Sequence, residues 1–235
     1  MAIVDRRVWQ AAIAIGAVAF LFALGSWQLQ RMIWKAQLIA ERQARVSGPP
    51  AALPREAVDP AAWEFRRVAL EGRFRHDAEI QLYGLRLLQG TPGYRILAPF
   101  ETATGTVLVD RGWVPIERRT PASRAEGQIA GETRVVGIAR APQPKPAFVP
   151  DNDPAKGHWF WIDLPTIAAA TGVALREVVV EADAAANPGG YPEGGQTRSE
   201  LPDNHLAYAF IWYSLSLACA VIYWLFRRRQ RTETA

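Results

Sequence analysis

Cysteine is nearly absent. Cys219 is the one in the chain, and it lies inside an apolar run, so neither a disulfide nor a thiolate metal site is available to the rest of the sequence. A cysteine-based copper carrier is thereby excluded. Catalytic signatures are missing too: there is no Gly-x-Ser-x-Gly elbow, no His-Glu-x-x-His pair, no Walker phosphate loop and no glycine-rich dinucleotide fingerprint. An enzyme is the weaker class. Asp151-Asn152-Asp153 lacks the glycine and distal glutamate of a calcium loop and runs into Pro154, so it reads as a turn. His76 and His158 have no partners at metal-ligand spacing and read as surface or core histidines of a soluble domain.

Charge is missing altogether from Leu206 to Phe226. At 1.5 Å per residue this run makes a helix of about 31 Å, close to the hydrocarbon thickness of a bilayer of about 30 Å. Tyr208, Trp212, Tyr223 and Trp224 sit toward its ends, where amphipathic rings favour the interface. Asp203-Asn204-His205 introduces the run and Arg227-Arg228-Arg229 closes it. Val8 to Leu29 is a second stretch of this kind, preceded by Arg6-Arg7. Small residues at Ala23 to Ser26 suit a signal-peptide cleavage site, but the run is nearer the length of a span than of a signal core, which favours an uncleaved helix. Of the net charge of +4, the tail at 227, 228, 229 and 231 concentrates four arginines as topology signals, and no nucleic-acid partner is implied.

The expected architecture is an α+β membrane protein: two transmembrane helices flanking a β-rich, antiparallel, extracytoplasmic domain with a short helix. Its expected parts are a cytoplasmic N-terminus (1–7), transmembrane helix one (8–29), a helical extension (30–47) ended by Gly48-Pro49-Pro50, and the β-rich domain (48–186). A flexible return segment (187–205), transmembrane helix two (206–226) and a basic cytoplasmic tail (227–235) follow. Basic flanks outside both spans put both termini in the cytoplasm. Strand patterns appear at 65–74, 79–85, 94–100, 106–114, 132–140, 158–163 and 176–182, with Val68/Leu70, Ile80/Leu82 and Val107/Val109 alternating at the strand period. Leu164-Pro165-Thr166 to Ala170, followed by Gly172, reads as one short helix. Arg111-Gly112-Trp113 reads as a strand end where glycine permits a sharp turn.

Six segments in this order carry a resemblance. They are Gly25-Ser26-Trp27-Gln28-Leu29 with Arg31, Trp34 and Lys35; Phe65-Arg66-Arg67-Val68 with Gly72, Phe74 and His76; Gly93-Tyr94; Val107 to Pro115; Trp159-Phe160-Trp161-Ile162-Asp163; and Pro202, Asn204 to Tyr208 and Trp212. Together, nearly end to end, they resemble the surfeit-locus (Shy-type) assembly factors of cytochrome c oxidase. Asp110 departs from that pattern, which has asparagine before Arg-Gly-Trp. With no Arg- and Ser-rich transit segment before helix one, the resemblance implies a bacterial member, multi-pass in the inner membrane with its central domain in the periplasm. It further implies that the protein is no enzyme, and that it handles haem a during biogenesis of oxidase subunit I, with haem a synthase as a further partner.

On that resemblance, His205 is the expected ligand of the haem iron, with Tyr208, Trp212, Trp27 and Gln28 walling the site. Two other readings of His205 stand beside it: an interfacial histidine next to the cap residues Asp203 and Asn204, and a proton relay. The aromatic residues are equally those of an ordinary interfacial belt, and Trp27 with Gln28 equally a packed helix contact. The function implied is therefore a haem a carrier; the alternative is a haem-free membrane scaffold that holds an oxidase assembly intermediate together.

Overall fold

The computed structural model describes residues 6–198 and 204–233. Pro202 and Asp203 lie outside them, as does most of the expected N-terminal segment. The chain forms two compact units: a pair of long helices, and a β-rich body that begins at Arg42.

Helix α1 (Arg6–Ser47), as far as Glu41, and helix α4 (His205–Glu233) make the first unit, while the short helices α2 (Pro60–Trp63) and α3 (Leu164–Thr171) belong to the second. Neither α1 nor α4 is a core helix of a soluble protein, because their apolar side chains stand uncovered: Phe20, Phe210 and Leu217 are each about two-thirds exposed or more (64%, 73% and 67%). Long, uncovered, and without charge across 8–29 and 206–226, they are membrane spans. The protein is thus an α+β membrane protein with apolar helices flanking a β domain.

That domain is one six-stranded sheet: β1 (Arg67–Phe74), β2 (Ile80–Leu85), β3 (Pro92–Thr102), β4 (Gly105–Pro115), β5 (Thr133–Arg140) and β6 (Leu175–Ala182), in the order β1-β5-β6-β4-β3-β2. β3 is long enough to pair with β2 through its first half and with β1 through Phe100–Thr102, and this closes five strands into a barrel. Its pairs are antiparallel except one, β4 beside β6. Parallel neighbours require a crossover, and the chain between them supplies it with β5 and helix α3 (Leu164–Thr171).

β4 is buried from Val107 to Val114 because each of its faces meets a core. Val107 and Val109 point into the barrel with Val68, Leu70, Phe100, Val135 and Val180. Leu108 faces the other way, under α3 and Trp159, with Leu97, Ile167 and Val179. α3 is held by local chemistry: Asp163 Oδ1 accepts the Thr166 N–H at 3.3 Å, its Oδ2 accepts the Thr166 hydroxyl at 2.6 Å, and Gly172 ends the helix in the left-handed conformation (φ 67°). Burying Leu164 and Ile167 stabilises its seat by roughly 1.5–3 kcal/mol each.

Two expectations are corrected. Residues 158–163 do not form a strand, since Asn152 Oδ1 takes the N–H groups of Phe160 (2.9 Å) and Trp161 (3.4 Å) that a ladder would use, leaving isolated bridges from Trp159 to Leu82 and from His158 to Asp153. Nor does Arg111-Gly112-Trp113 end a strand. It is a β-bulge inside β4: Leu97 pairs with Asp110 and Ile96 with Gly112, so Arg111 is the extra residue. Past the bulge Trp113 exchanges two backbone hydrogen bonds with Glu193 (2.9 and 2.8 Å), so the return segment is bound to the domain there.

Asp110, where the resemblance expects asparagine, is buried and ion-paired with Arg95 while its Oδ1 accepts the Gly112 N–H at 3.0 Å. Arg95 also meets Glu181 at 3.0 Å, and Arg140 links Glu181 to Glu64 at 3.2 and 3.1 Å. Burial pushes the Asp110 carboxyl up, against the pull of Arg95.

Gly112 has φ 122°, and a Cβ there would lie 2.0 Å from the Glu193 carbonyl oxygen. Gly112→Ala is therefore expected to cost about 1–3 kcal/mol from backbone strain alone, and more if the return segment detaches. Thermal unfolding of the purified protein checks this; an unchanged midpoint would contradict the bulge geometry.

Candidate functional site

Within the helix pair, small and hydroxyl side chains let the backbones approach. Gly25 is the close point: a Cβ there would lie 2.7 Å from Tyr213 Cε1, so the tyrosine ring rests on the bare glycine. Ser26 Oγ donates to the Phe22 carbonyl at 3.0 Å, which leaves Tyr213 as donor in its 3.1 Å contact with Ser26. Ser216 Oγ donates to the Val18 carbonyl at 3.0 Å, and the Phe22 and Tyr213 rings lie 5.2 Å apart. Ala209 and Ser216 are buried on the same stripe. Contacts at 18 with 216, 26 with 213 and 28 with 205 run in opposite senses, so the helices are antiparallel. In surroundings without water such bonds and small-residue packing hold spans together.

At the N-terminal end of α4 the stripe finishes with His205, whose Nδ1 lies 2.8 Å from Gln28 Oε1. An amide oxygen only accepts, so Nδ1 carries the proton and the lone pair of the neutral ring resides on Nε2. Asn204 begins the helix, its carbonyl accepting the Tyr208 N–H at 3.2 Å. Helical geometry places Tyr208 and Trp212, three and seven residues on, within about 60° of His205 around the axis. Tyr208 is 51% exposed and Trp212 half-buried. Trp27, 54% exposed, turns about 100° away from its neighbour Gln28.

Of the expected residues, then, the structure joins His205 to Gln28 by a hydrogen bond, sets Tyr208 and Trp212 on the His205 side of α4, and leaves Trp27 on an open face of α1. Tyr213, Ser26 and Ser216 are the structural partners that sequence reading underrated. The sign that could have found them is the Gly25-Ser26 pair at the depth of an aromatic on the other span. A cavity of about 400 Å³ between the spans, lined by Ala14, Ala17, Cys219 and Tyr223 among others, begins 14 residues along α4 from His205, about 21 Å away. It is separate from the histidine. Among the described residues no cluster of three or more His, Cys, Asp or Glu could hold a bare metal ion.

Comparison with known proteins decides the family. The model of the SURF1 family matches residues 15–217, which takes in the whole domain and part of each span. The chain belongs to the SURF1 family. A SURF1-like protein of Monosiga brevicollis is 40% identical over 222 residues, covering 89% of this chain and 84% of that protein. Surfeit locus protein 1 of Homo sapiens is 35% identical over 218 residues (86% and 72%), and that of Mus musculus 34% over 220 (87% and 71%). The chain is accordingly a SURF1-like membrane assembly factor, of a family linked to cytochrome c oxidase assembly.

Two expectations fall with this finding. The bacterial, Shy-type assignment and the bacterial inner-membrane location are both overturned, because the relatives named above, and a SURF1-like protein of Drosophila melanogaster, are eukaryotic.

The close approach at Gly25 gives a matched test. Gly25→Leu should lower the thermal midpoint of the detergent-solubilised protein by an amount typical of overpacking, about 1–3 kcal/mol, whereas Gly16→Leu, with nothing within 4 Å of its Cβ position, should not. Equal behaviour of the two variants would contradict the pairing.

Proposed function

We propose that this chain binds haem a during cytochrome c oxidase assembly and assists its insertion into subunit I, with His205 as the iron ligand. The observation that carries the reading is the His205–Gln28 hydrogen bond. A histidine ligates iron through a neutral imidazole nitrogen whose orientation and basicity are set by the hydrogen bond its other nitrogen makes. Gln28 supplies that bond and fixes the tautomer with Nε2 as the ligating atom. It is a positioning residue, while His205 is the binding one.

The surroundings fit the group. A porphyrin is a broad apolar plate that needs an apolar setting and one nitrogen donor, and Leu206, Tyr208 and Trp27 present uncovered apolar and ring surface at this end of the spans. The N-terminal end of α4 carries partial positive charge that favours the carboxylates of haem. Haem, when bound, supplies the iron that His205 would hold; the chain's own part is to bind, orient and shield it until transfer. Haem a synthase is the natural source and subunit I the recipient in this reading.

The test is colour. Purified from cells that make haem a, the protein should show a Soret band. His205→Ala should remove or shift it without affecting membrane insertion, because an uncharged change at the helix boundary leaves the apolar run intact. Gln28→Leu should keep the band but weaken haem retention about 10- to 100-fold. A colourless wild-type protein would favour a haem-free scaffold, and a full spectrum in His205→Ala would sink the ligand assignment.

A further inference from the structure

The bulge in β4 aims Arg111 into one end of the barrel, where the side chain is 2% exposed. Its guanidinium donates to the Gly127 carbonyl at 2.5 Å and to Asn187 Oδ1 at 3.4 Å, and it lies 4.5 Å from the centre of the Phe74 ring. All of these partners are uncharged. Nη1 is buried and makes no hydrogen bond. The nearby acid, Glu79, is ion-paired with Arg124, both side chains being almost fully buried, so this end of the barrel holds two guanidinium charges against one carboxylate.

The other groups do not correct the imbalance. His76 donates through Nε2 to the Ile129 carbonyl at 2.9 Å, and burial pushes its pKa below the ordinary value, so it stays neutral. Asp183 is ion-paired with Arg67 at 3.4 Å, and Arg134 is an exposed further cation. Beside Arg111 is a cavity of about 240 Å³, bordered by Phe74, Thr133, Arg134, Asp183 and Asn187 among others. A buried guanidinium without a counter-charge is costly, and burial has brought the Arg111 pKa down to about 10.

We infer that the cavity beside Arg111 is a binding site for a small oxyanion, a carboxylate or a phosphate, whose oxygens take the unused Nη1 donor and supply the missing negative charge. Guanidinium groups bind both anions through paired donors, and a bulge is the usual device by which a strand re-aims one side chain into a site. The site lies wholly in the β domain and stands independently of the haem reading.

Thermal unfolding of the full-length protein in detergent, at constant ionic strength made up with chloride, tests this with acetate and with inorganic phosphate as separate probes. One or both should raise the midpoint saturably, as a ligand of the folded state must, and the stronger probe identifies the anion type. Arg111→Gln should abolish the rise. Because that variant risks misfolding, Thr133→Glu gives a second route: an internal carboxylate at the cavity wall should raise the midpoint in chloride alone and remove the response to added anion. No rise above the chloride control with either probe means that the cavity holds water only, and overturns the proposal; so does a rise that persists unchanged in Thr133→Glu.

Discussion

The domain depends on the burial of β4 on both faces. A strand with a core on each side has no solvent to accept its polar side chains, so every one of them must be satisfied inside. From Val107 to Val109 the strand meets that demand with apolar residues. At Asp110 and Arg111 it cannot, and the structure answers in two ways: Asp110 is paired with Arg95 in a chain of charges that reaches Glu64, whereas the bulge turns Arg111 toward carbonyls, a ring and a cavity. The return segment is fixed at the same point through Glu193, so the bulge also decides where the chain leaves the domain.

A similar constraint operates in the helix pair with a different solvent. Lipid offers no hydrogen bonds, so the hydroxyls of Ser26, Tyr213 and Ser216 find partners within the pair, and a glycine permits the approach. Gln28 and His205 obey the same rule, and the way they obey it has a chemical consequence. Gln28 offers the imidazole an amide oxygen, and a proton on Nδ1 follows from that contact.

Much of this was legible in the residues. The spans were readable because charge is absent across them, and all six strands were legible near their observed bounds. β4 was legible as a strand through Val107 and Val109, but that alternation is the period of a strand with one buried face, and the burial of its other face was not. The parallel pairing of β4 with β6 was not legible, since register between strands some sixty residues apart leaves no local pattern. Residues 158–163 have the composition of a strand, and only the Asn152 side chain, placed by a turn, withholds them from one. The bulge adds a single residue and changes no periodicity. At the candidate site the shared depth of Gln28 and His205 could be read, but their hydrogen bond and the seat of Tyr213 on Gly25 required the crossing of the helices. The bacterial attribution rested on the lack of a transit segment, which says nothing about where a chain's relatives live.

The central claim is that an imidazole oriented by Gln28 is the iron ligand. Its most direct test is magnetic resonance of the ferric haem-loaded protein in which histidine nitrogen is isotopically labelled. The account predicts a coupling between the iron and a histidine nitrogen in the wild type, perturbed in Gln28→Leu and absent in His205→Ala. A histidine coupling that survives His205→Ala unchanged would contradict it.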